Sequence, residues 1–94
     1  MDKRRKHDDA LEKQLRDDFF SAVERGELSI QDAVRKMRRI SRLTQPEFAR
    51  HRGVSLGVLR QIETGKGNPQ VETLNRIASI FGFEVGFIKK IRRE

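Results

Sequence analysis

The chain has 94 residues, of which 37% are charged and 35% hydrophobic, and its 21 Lys and Arg residues outnumber 14 Asp and Glu residues for a formal net charge of +7. This length accommodates one small domain, and the absence of cysteine excludes a disulfide framework and a thiolate metal site. No apolar run approaches the roughly 20 residues that a membrane span needs. The excess of positive charge predicts an acidic partner, and nucleic acid is the first candidate.

An amphipathic helix is predicted over residues 8–25, after a basic arm at residues 3–6 that is either a minor-groove contact or a solubilising tail. This first helix is acidic, since residues 8–27 hold seven acidic and three basic side chains. One apolar stripe recurs at the helical period: Leu11, Leu15, Phe19, Ala22 and Val23. The stripe either folds over the rest of the domain or packs against a second copy of the chain.

A second helix is predicted to begin at Ser29 and a third at Thr44. Each of these residues can cap a helix, and a carboxylate follows each of them three positions later. The third helix is expected to continue to about Arg52, where Gly53 permits the left-handed conformation of a tight turn. A fourth helix is then predicted over residues 55–63.

After a loop at residues 64–69, a fifth helix is predicted over residues 71–81. Residues 83–89 alternate apolar with small or polar side chains, which predicts a short strand, with a further helical turn as the alternative. Because the chain offers no second strand, we expect this strand to pair with its copy in a second subunit. The strand residues expected in such a dimer are Phe83, Val85 and Phe87.

Positive charge is concentrated in the middle of the chain. Residues 35–60 hold eight Arg or Lys and one acidic residue, Glu47, so this segment carries a net charge equal to that of the whole protein. Phosphate neutralisation by Lys and Arg supplies much of the affinity of a protein for duplex DNA. Tyr and Trp are absent, which argues against a stacking platform for single strands. Duplex DNA is therefore the predicted partner.

The middle of the chain resembles the lambda-repressor-like, or Xre-type, helix-turn-helix family over residues 33–82. The resemblance is carried by Leu43-Thr44-Gln45-x-Glu47-x-Ala49, Gly53-Val54-Ser55, Ile62-Glu63-x-Gly65-Lys66 and Asn68-Pro69-x-x-x-Thr73-Leu74-x-x-Ile77-Ala78. It implies an all-α, lambda-repressor-like domain at residues 28–82. Residues 1–27 then add the arm and an extra helix, and residues 83–94 add the dimerisation strand and a basic tail.

The resemblance also implies roles for individual residues in DNA binding. The fourth helix would enter the major groove, where Arg60 can contact guanine and Gln61 adenine. The base-contacting residues would be Ser55, Leu56, Gly57, Arg60 and Gln61. The phosphate-contacting residues would be Arg42, Thr44, Gln45, Thr64 and Lys66. Arg38 and Glu63 match an ion pair of the family to which we assign a structural role.

Two features depart from the family pattern. Arg52 stands where the family usually has Leu or Val facing the core, so its charge is expected to extend outward over its own methylenes, or the turn is looser than usual. The segment Leu56-Gly57-Val58 is less polar than most base-contacting segments of the family. Sequence specificity would then depend on Arg60, Gln61 and DNA shape.

The favoured function is a homodimeric transcriptional repressor that binds a pseudo-palindromic operator. The small size, the extra first helix and the terminal strand resemble HipB-like antitoxins, in which DNA binding autoregulates an operon and another part of the chain holds a toxin. A phage-type or restriction-controller regulator without a toxin, and a protein-interaction adaptor, are the alternatives. We expect a cytoplasmic protein with no catalytic residues and no cofactor. We also expect no metal site, because His7 and His51 have no acidic cluster at ligand spacing.

Overall fold

The computed structural model describes residues 9–89, and within them the fold is all-α, as predicted. The helices are α1 (Asp9–Glu24), α2 (Ile30–Ser41), α3 (Gln45–Arg52), α4 (Leu56–Thr64) and α5 (Val71–Ala78), and a 3₁₀ turn at Ser79–Phe81 follows α5. The predicted basic arm at residues 3–6 and the end of the basic tail lie outside the described residues. Within residues 9–89, none of the helices is long and apolar enough to cross a membrane.

Hydroxyl side chains fix the starts of three helices. The Thr44 hydroxyl accepts a hydrogen bond from the backbone N–H of Glu47 at 3.3 Å, and the Glu47 carboxylate accepts one from the N–H of Thr44 at 2.9 Å. Ser29 caps α2 and Ser55 caps α4 through single hydrogen bonds of the same kind. Because the first amides of a helix have no intrahelical partner, each such cap stabilises its helix by about 1 kcal/mol.

The turn between α3 and α4 is closed by backbone hydrogen bonds. Gly53 has φ 69°, in the left-handed region, and its N–H donates to the carbonyl of Arg50 at 3.2 Å. The N–H of Val54 donates to the carbonyl of Ala49 at 3.0 Å. This arrangement satisfies carbonyls at the end of α3 and turns the chain directly into α4.

Arg52 and Arg76 each bind the end of the other's helix. Arg52 Nη2 donates to the carbonyl of Arg76 at 2.8 Å and to Ser79 Oγ at 3.2 Å, while Arg76 Nη1 donates to the carbonyl of Gly53 at 3.0 Å. A cation at a helix C-terminus also interacts favourably with the helix dipole. The arginine that departs from the family pattern therefore joins α3 to α5 without loosening the turn.

The core lies where α4 packs against both α2 and α3. Its most deeply buried side chains are Phe48 of α3, Leu59 of α4 and Ile77 of α5, each no more than 1% exposed. The other buried apolar residues are Phe19, Val34, Met37, Ala49, Ile62, Leu74 and Ala78. Because α4 supplies both buried and exposed side chains, the core fixes the orientation of its outer face.

Only the second half of α1 packs on this core. Phe19 is 2% exposed, and the centroid of its ring lies 6.0 Å from the ring centroid of Phe81 and 5.9 Å from that of Phe83. Leu11 and Leu15, on the same predicted stripe, are each 54% exposed. The sequence left open whether this stripe packs on its own domain or on a second copy of the chain. The C-terminal half of the stripe packs on its own domain.

No strand is seen at residues 83–89, which corrects this part of the predicted fold within the described chain. A strand needs a second strand to satisfy its backbone groups, and residues 9–89 of a single chain provide none. Instead, the N–H of Val85 donates to Asn75 Oδ1 at 2.7 Å, and the Phe83 ring contacts Phe20 at 5.2 Å. Phe87 is fully exposed, and its pairing with a second subunit stays a prediction.

Candidate nucleic-acid interface

A buried ion pair joins α2 to the end of α4. Arg38 Nε and Nη2 donate to the two carboxylate oxygens of Glu63 at 2.7 and 3.0 Å, and Arg38 Nη1 donates to the carbonyl of Leu43 at 3.3 Å. The side chain of Glu63 is 5% exposed and that of Arg38 is 22% exposed. The structure thus brings together the two residues that the resemblance pairs, in the planar two-bond geometry that guanidinium and carboxylate favour.

The carboxylate of Glu63 is ionised at neutral pH. Burial by itself raises the pKa of Glu63, but the hydrogen bonds from Arg38 and Gln45 outweigh it and hold the pKa below the ordinary value of 4.5. The same hydrogen bond from Arg38 to Glu63 raises the pKa of the guanidinium above its ordinary value. Both partners are therefore charged across the physiological range, and the pair positions α4 as a fixed element.

Gln45 connects this ion pair to the exposed face of α4. Its Nε2 donates to Glu63 Oε1 at 3.0 Å, and its Oε1 accepts a hydrogen bond from Arg60 Nε at 3.4 Å. The side chain predicted to contact a phosphate is thus engaged with the protein. The backbone N–H of Gln45 is in the first turn of α3, where amides have no intrahelical acceptor and can bind an anion.

Two of the predicted base-contacting residues are openly accessible beside each other. Arg60 is exposed, with its guanidinium held near Gln45. Gly57 is exposed one turn earlier, and a Cβ added there would meet no atom within 4 Å. The start of α4 is therefore a low surface next to one arginine, which allows close approach of a groove edge.

The other three predicted base-contacting residues are placed differently. The Ser55 hydroxyl accepts a hydrogen bond from the N–H of Val58 at 3.0 Å, so its oxygen acts first as a helix cap. Leu56 is half-buried and packs against the core, which leaves less of its side chain for a base. Gln61 is exposed beside Gly67, in a groove that Lys66 also lines.

The predicted phosphate-contacting residues also divide into two groups. Lys66 is exposed and makes no side-chain ion pair within residues 9–89. The hydroxyls of Thr44 and Thr64 already have partners, the N–H of Glu47 and the carbonyl of Arg60. Arg42 stands in the left-handed conformation at the end of α2, with φ 61°, and its guanidinium pairs with Glu12 of α1.

Two residues at this surface were missed by the sequence reasoning. Gln31 of α2 donates through Nε2 to the backbone carbonyl of Glu63 at 3.0 Å and so fixes the end of α4. Glu12 of α1 binds Arg42. The opposite charges of the first two predicted helices were a signal for the second contact, but no sequence pattern indicated the first.

The exposed groups on this surface are mainly hydrogen-bond donors: guanidinium, ammonium and side-chain amide. Donors of this kind match phosphate oxygens and the acceptor edges of bases in the major groove. Among residues 9–89, no three His, Cys, Asp or Glu side chains are grouped so that they could hold a metal ion.

Comparison with known families agrees with this geometry. A family model described as a helix-turn-helix domain matches residues 32–86, more than half of the 94-residue chain. The match spans most of α2 and all of α3, α4 and α5, and it leaves α1 outside. Neither a curated protein nor a solved structure matches the chain. The matched residues and the α3–turn–α4 arrangement show that the chain belongs to the helix-turn-helix domain family.

Proposed function

We propose that the protein is a sequence-specific duplex-DNA-binding transcriptional repressor that acts as a homodimer, and that it works by binding, not by catalysis. The observation that carries the proposal is the connected set of Arg38, Glu63, Gln45 and Arg60 on a helix-turn-helix scaffold. A buried ion pair holds one end of the set, and an exposed arginine on the second helix of the motif forms the other.

Charge supports DNA as the ligand. The segment of residues 35–60 has eight basic side chains and one acidic side chain, and it contains all of α3 together with the turn and the start of α4. Contacts from such a segment to phosphates release counterions, which supplies affinity without sequence preference. Arg42, Lys66 and the first amides of α3 are the proposed phosphate contacts.

Sequence preference is proposed to come from the outer face of α4. Arg60 would contact guanine, and a good two-bond contact of this kind contributes about 1–3 kcal/mol of discrimination. Gln61 would contact adenine, with Ser55 and the half-buried Leu56 as minor contacts. In a two-fold dimer the two α4 helices would occupy major grooves about 34 Å apart.

An antitoxin role is the finer proposal, and α1 is the observation that favours it. This helix lies outside the residues that the family model matches. It carries five acidic and two basic side chains, and this negative charge does not serve binding to DNA phosphates. A regulator without a toxin is the second candidate. Co-expression with the product of the adjacent gene tests the choice, since an antitoxin should restore growth that the product alone stops.

Arg60→Ala and Lys66→Ala test the division between base and phosphate contacts. We expect Arg60→Ala to flatten the preference between the DNA upstream of the gene and a scrambled duplex, because a base contact is lost. We expect Lys66→Ala to weaken both duplexes about equally. Fluorescence anisotropy measures both affinities, and Lys13→Ala, which removes an exposed cation of α1 that pairs with Asp17, is the control. An unchanged preference in Arg60→Ala would contradict the assigned role of α4.

A further inference from the structure

A cleft of about 500 Å³ lies between α1 and α2, and residues from both halves of α1 line it. Leu15 and Phe19 of α1 and Ile40 of α2 contribute apolar surface to it. Seven of its eleven lining residues are charged, although the surface that they and their neighbours expose to the cleft is mainly apolar. The composition therefore suits a segment of protein with its own charged and apolar faces.

The charge of the cleft is not balanced within the described chain. Five basic and two acidic side chains line it. Arg25 pairs with Glu27 and Arg42 with Glu12. Within residues 9–89, the three remaining cations, Arg16, Lys36 and Arg39, take part in none of the ion pairs. Lys36 and Arg39 are three residues apart on one helix, a spacing at which like charges repel, so an acidic occupant would stabilise the cleft.

The sequence contains one segment with the required chemistry. Residues 1–8 and 90–94 are both basic, so they have the same sign as the cleft. Asp9–Glu24 carries five acidic and two basic side chains, and two of its leucines, Leu11 and Leu15, are each 54% exposed. The acidic, half-exposed helix and the basic cleft are thus present in the same molecule.

We propose that α1 of a second copy occupies this cleft, and that the exchange is reciprocal. A two-fold axis makes such an interface self-complementary, because each copy supplies one acidic helix and one basic cleft. The apolar part of the contact is formed by Leu15 and Ile40 of both copies, and the unpaired Lys36 and Arg39 face carboxylates of the incoming helix. This inference rests on the homodimer of the proposed function and assigns its interface.

Sedimentation velocity on the full chain tests the apolar part of the interface. Leu15→Lys removes an exposed leucine and adds a charge of the same sign as the cleft, so we expect the dimer dissociation constant to rise at least tenfold. Val71→Lys is the matched control, because Val71 is 57% exposed at the start of α5, and its dimer should be unchanged. Circular dichroism should show both variants as helical as the parent chain.

A charge exchange tests the identity of the occupant. The variants Lys36→Glu/Arg39→Glu and Asp18→Lys should each be mainly monomeric, because each opposes like charges across the interface. An equimolar mixture of the two should form a heterodimer, since both reciprocal contacts then join a helix and a cleft of opposite charge. Failure of the mixture to associate, with both variants folded, would overturn the proposal.

The exposed apolar segment at residues 83–89 provides the competing interface. If Phe87→Asp abolishes the dimer and Leu15→Lys leaves it intact, the interface lies at the C-terminal segment and the proposal is wrong. A parent chain that is monomeric at its highest soluble concentration also overturns it. Salt-dependent DNA binding measured on the same samples separates this failure from failure of the proposed DNA binding, since a monomer that binds DNA contradicts the dimer and its interface but not the DNA contact.

Discussion

Glu63 is a buried carboxylate whose charge is retained by two donors. Arg38 provides a two-bond ion pair, and Gln45 donates a third hydrogen bond. The desolvation of such a pair is costly, so its net contribution over an apolar pair is small, but removal of one partner strands a charge in the interior. The pair therefore acts on stability mainly through the penalty for breaking it.

Glu63→Gln should destabilise the domain by about 3 kcal/mol, because the guanidinium of Arg38 then stays partly buried without a counter-charge. Urea unfolding followed by circular dichroism measures the change. Glu72→Gln is the control, since Glu72 pairs with Arg76 at 3.5 Å in an exposed i, i+4 contact and should change stability by less than about 0.5 kcal/mol. Equal losses of unfolding free energy in the two variants would show that burial does not increase the cost of breaking the Arg38–Glu63 pair.

The lowered pKa of Glu63 also predicts how stability depends on pH. The unfolded chain takes up this proton near the ordinary pKa of 4.5, whereas the folded chain takes it up at lower pH. Stability from this group is therefore complete above the unfolded pKa and is lost as the pH falls through the folded pKa. Glu63→Gln should flatten the acid side of a plot of unfolding free energy against pH.

Glu47 contributes to the same acid range and must be separated from Glu63. The backbone N–H of Thr44 donates to its carboxylate and, with the Thr44 side chain, lowers the pKa of Glu47. Glu47→Gln should therefore remove a second, independent part of the acid dependence. If neither variant alters the curve between about pH 5 and pH 3, where Glu normally titrates, the two carboxylates do not control acid stability.

For single residues, the family resemblance predicted the pairing of Arg38 with Glu63, but the sequence did not predict that Gln45 would donate to Glu63. An amide at the start of a helix can donate to a phosphate or to a neighbouring carboxylate. The choice depends on the distance between α3 and the end of α4, which residue spacing does not contain. The half-burial of Leu56 was missed for the same reason, because the orientation of α4 about its axis is set by the packed core.

Among the elements, α4 combines two glycines with opposite requirements. Gly57 lies inside the helix, with open space where a Cβ would be. Gly65 ends the helix with φ 77°, and a Cβ there would come within 2.7 Å of Gln31 Oε1. Glycine thus costs helix stability at the first position and permits the left-handed end at the second.

Gly57→Ala should stabilise the domain by about 0.5–1 kcal/mol, because alanine restricts the unfolded chain and favours the helix. Gly65→Ala should destabilise it, because alanine is strained at this φ and displaces the Gln31 side chain that binds the end of α4. Thermal unfolding of the two variants provides a matched comparison within one helix. Destabilisation by Gly57→Ala would indicate that the space at the start of α4 is not open.

Helix starts were predictable and the terminal segment was not, for a physical reason. Capping by Ser29, Thr44 and Ser55 uses side chains within three residues, so local sequence contains the signal. The alternating pattern at residues 83–89 shows only that a strand is compatible with those residues. In the described chain, Phe83 and Val85 instead contact Phe20 and Asn75, which are distant in sequence.

Over the whole molecule, charge is divided between an acidic first helix and a basic helix-turn-helix region. The sequence predicted this division and the all-α fold, because both depend on composition and period. It did not predict that α1 would pack with only its second half, since the stripe from Leu11 to Val23 is continuous along the helix.

The most direct test of DNA binding is the salt dependence of the affinity for the duplex upstream of the gene. We expect the logarithm of the association constant to fall linearly with the logarithm of salt concentration, by about 0.9 for each phosphate neutralised. Arg42→Ala and Lys66→Ala should each make the slope shallower by about 1. An affinity that stays constant between about 50 and 200 mM salt would contradict phosphate-driven binding to DNA.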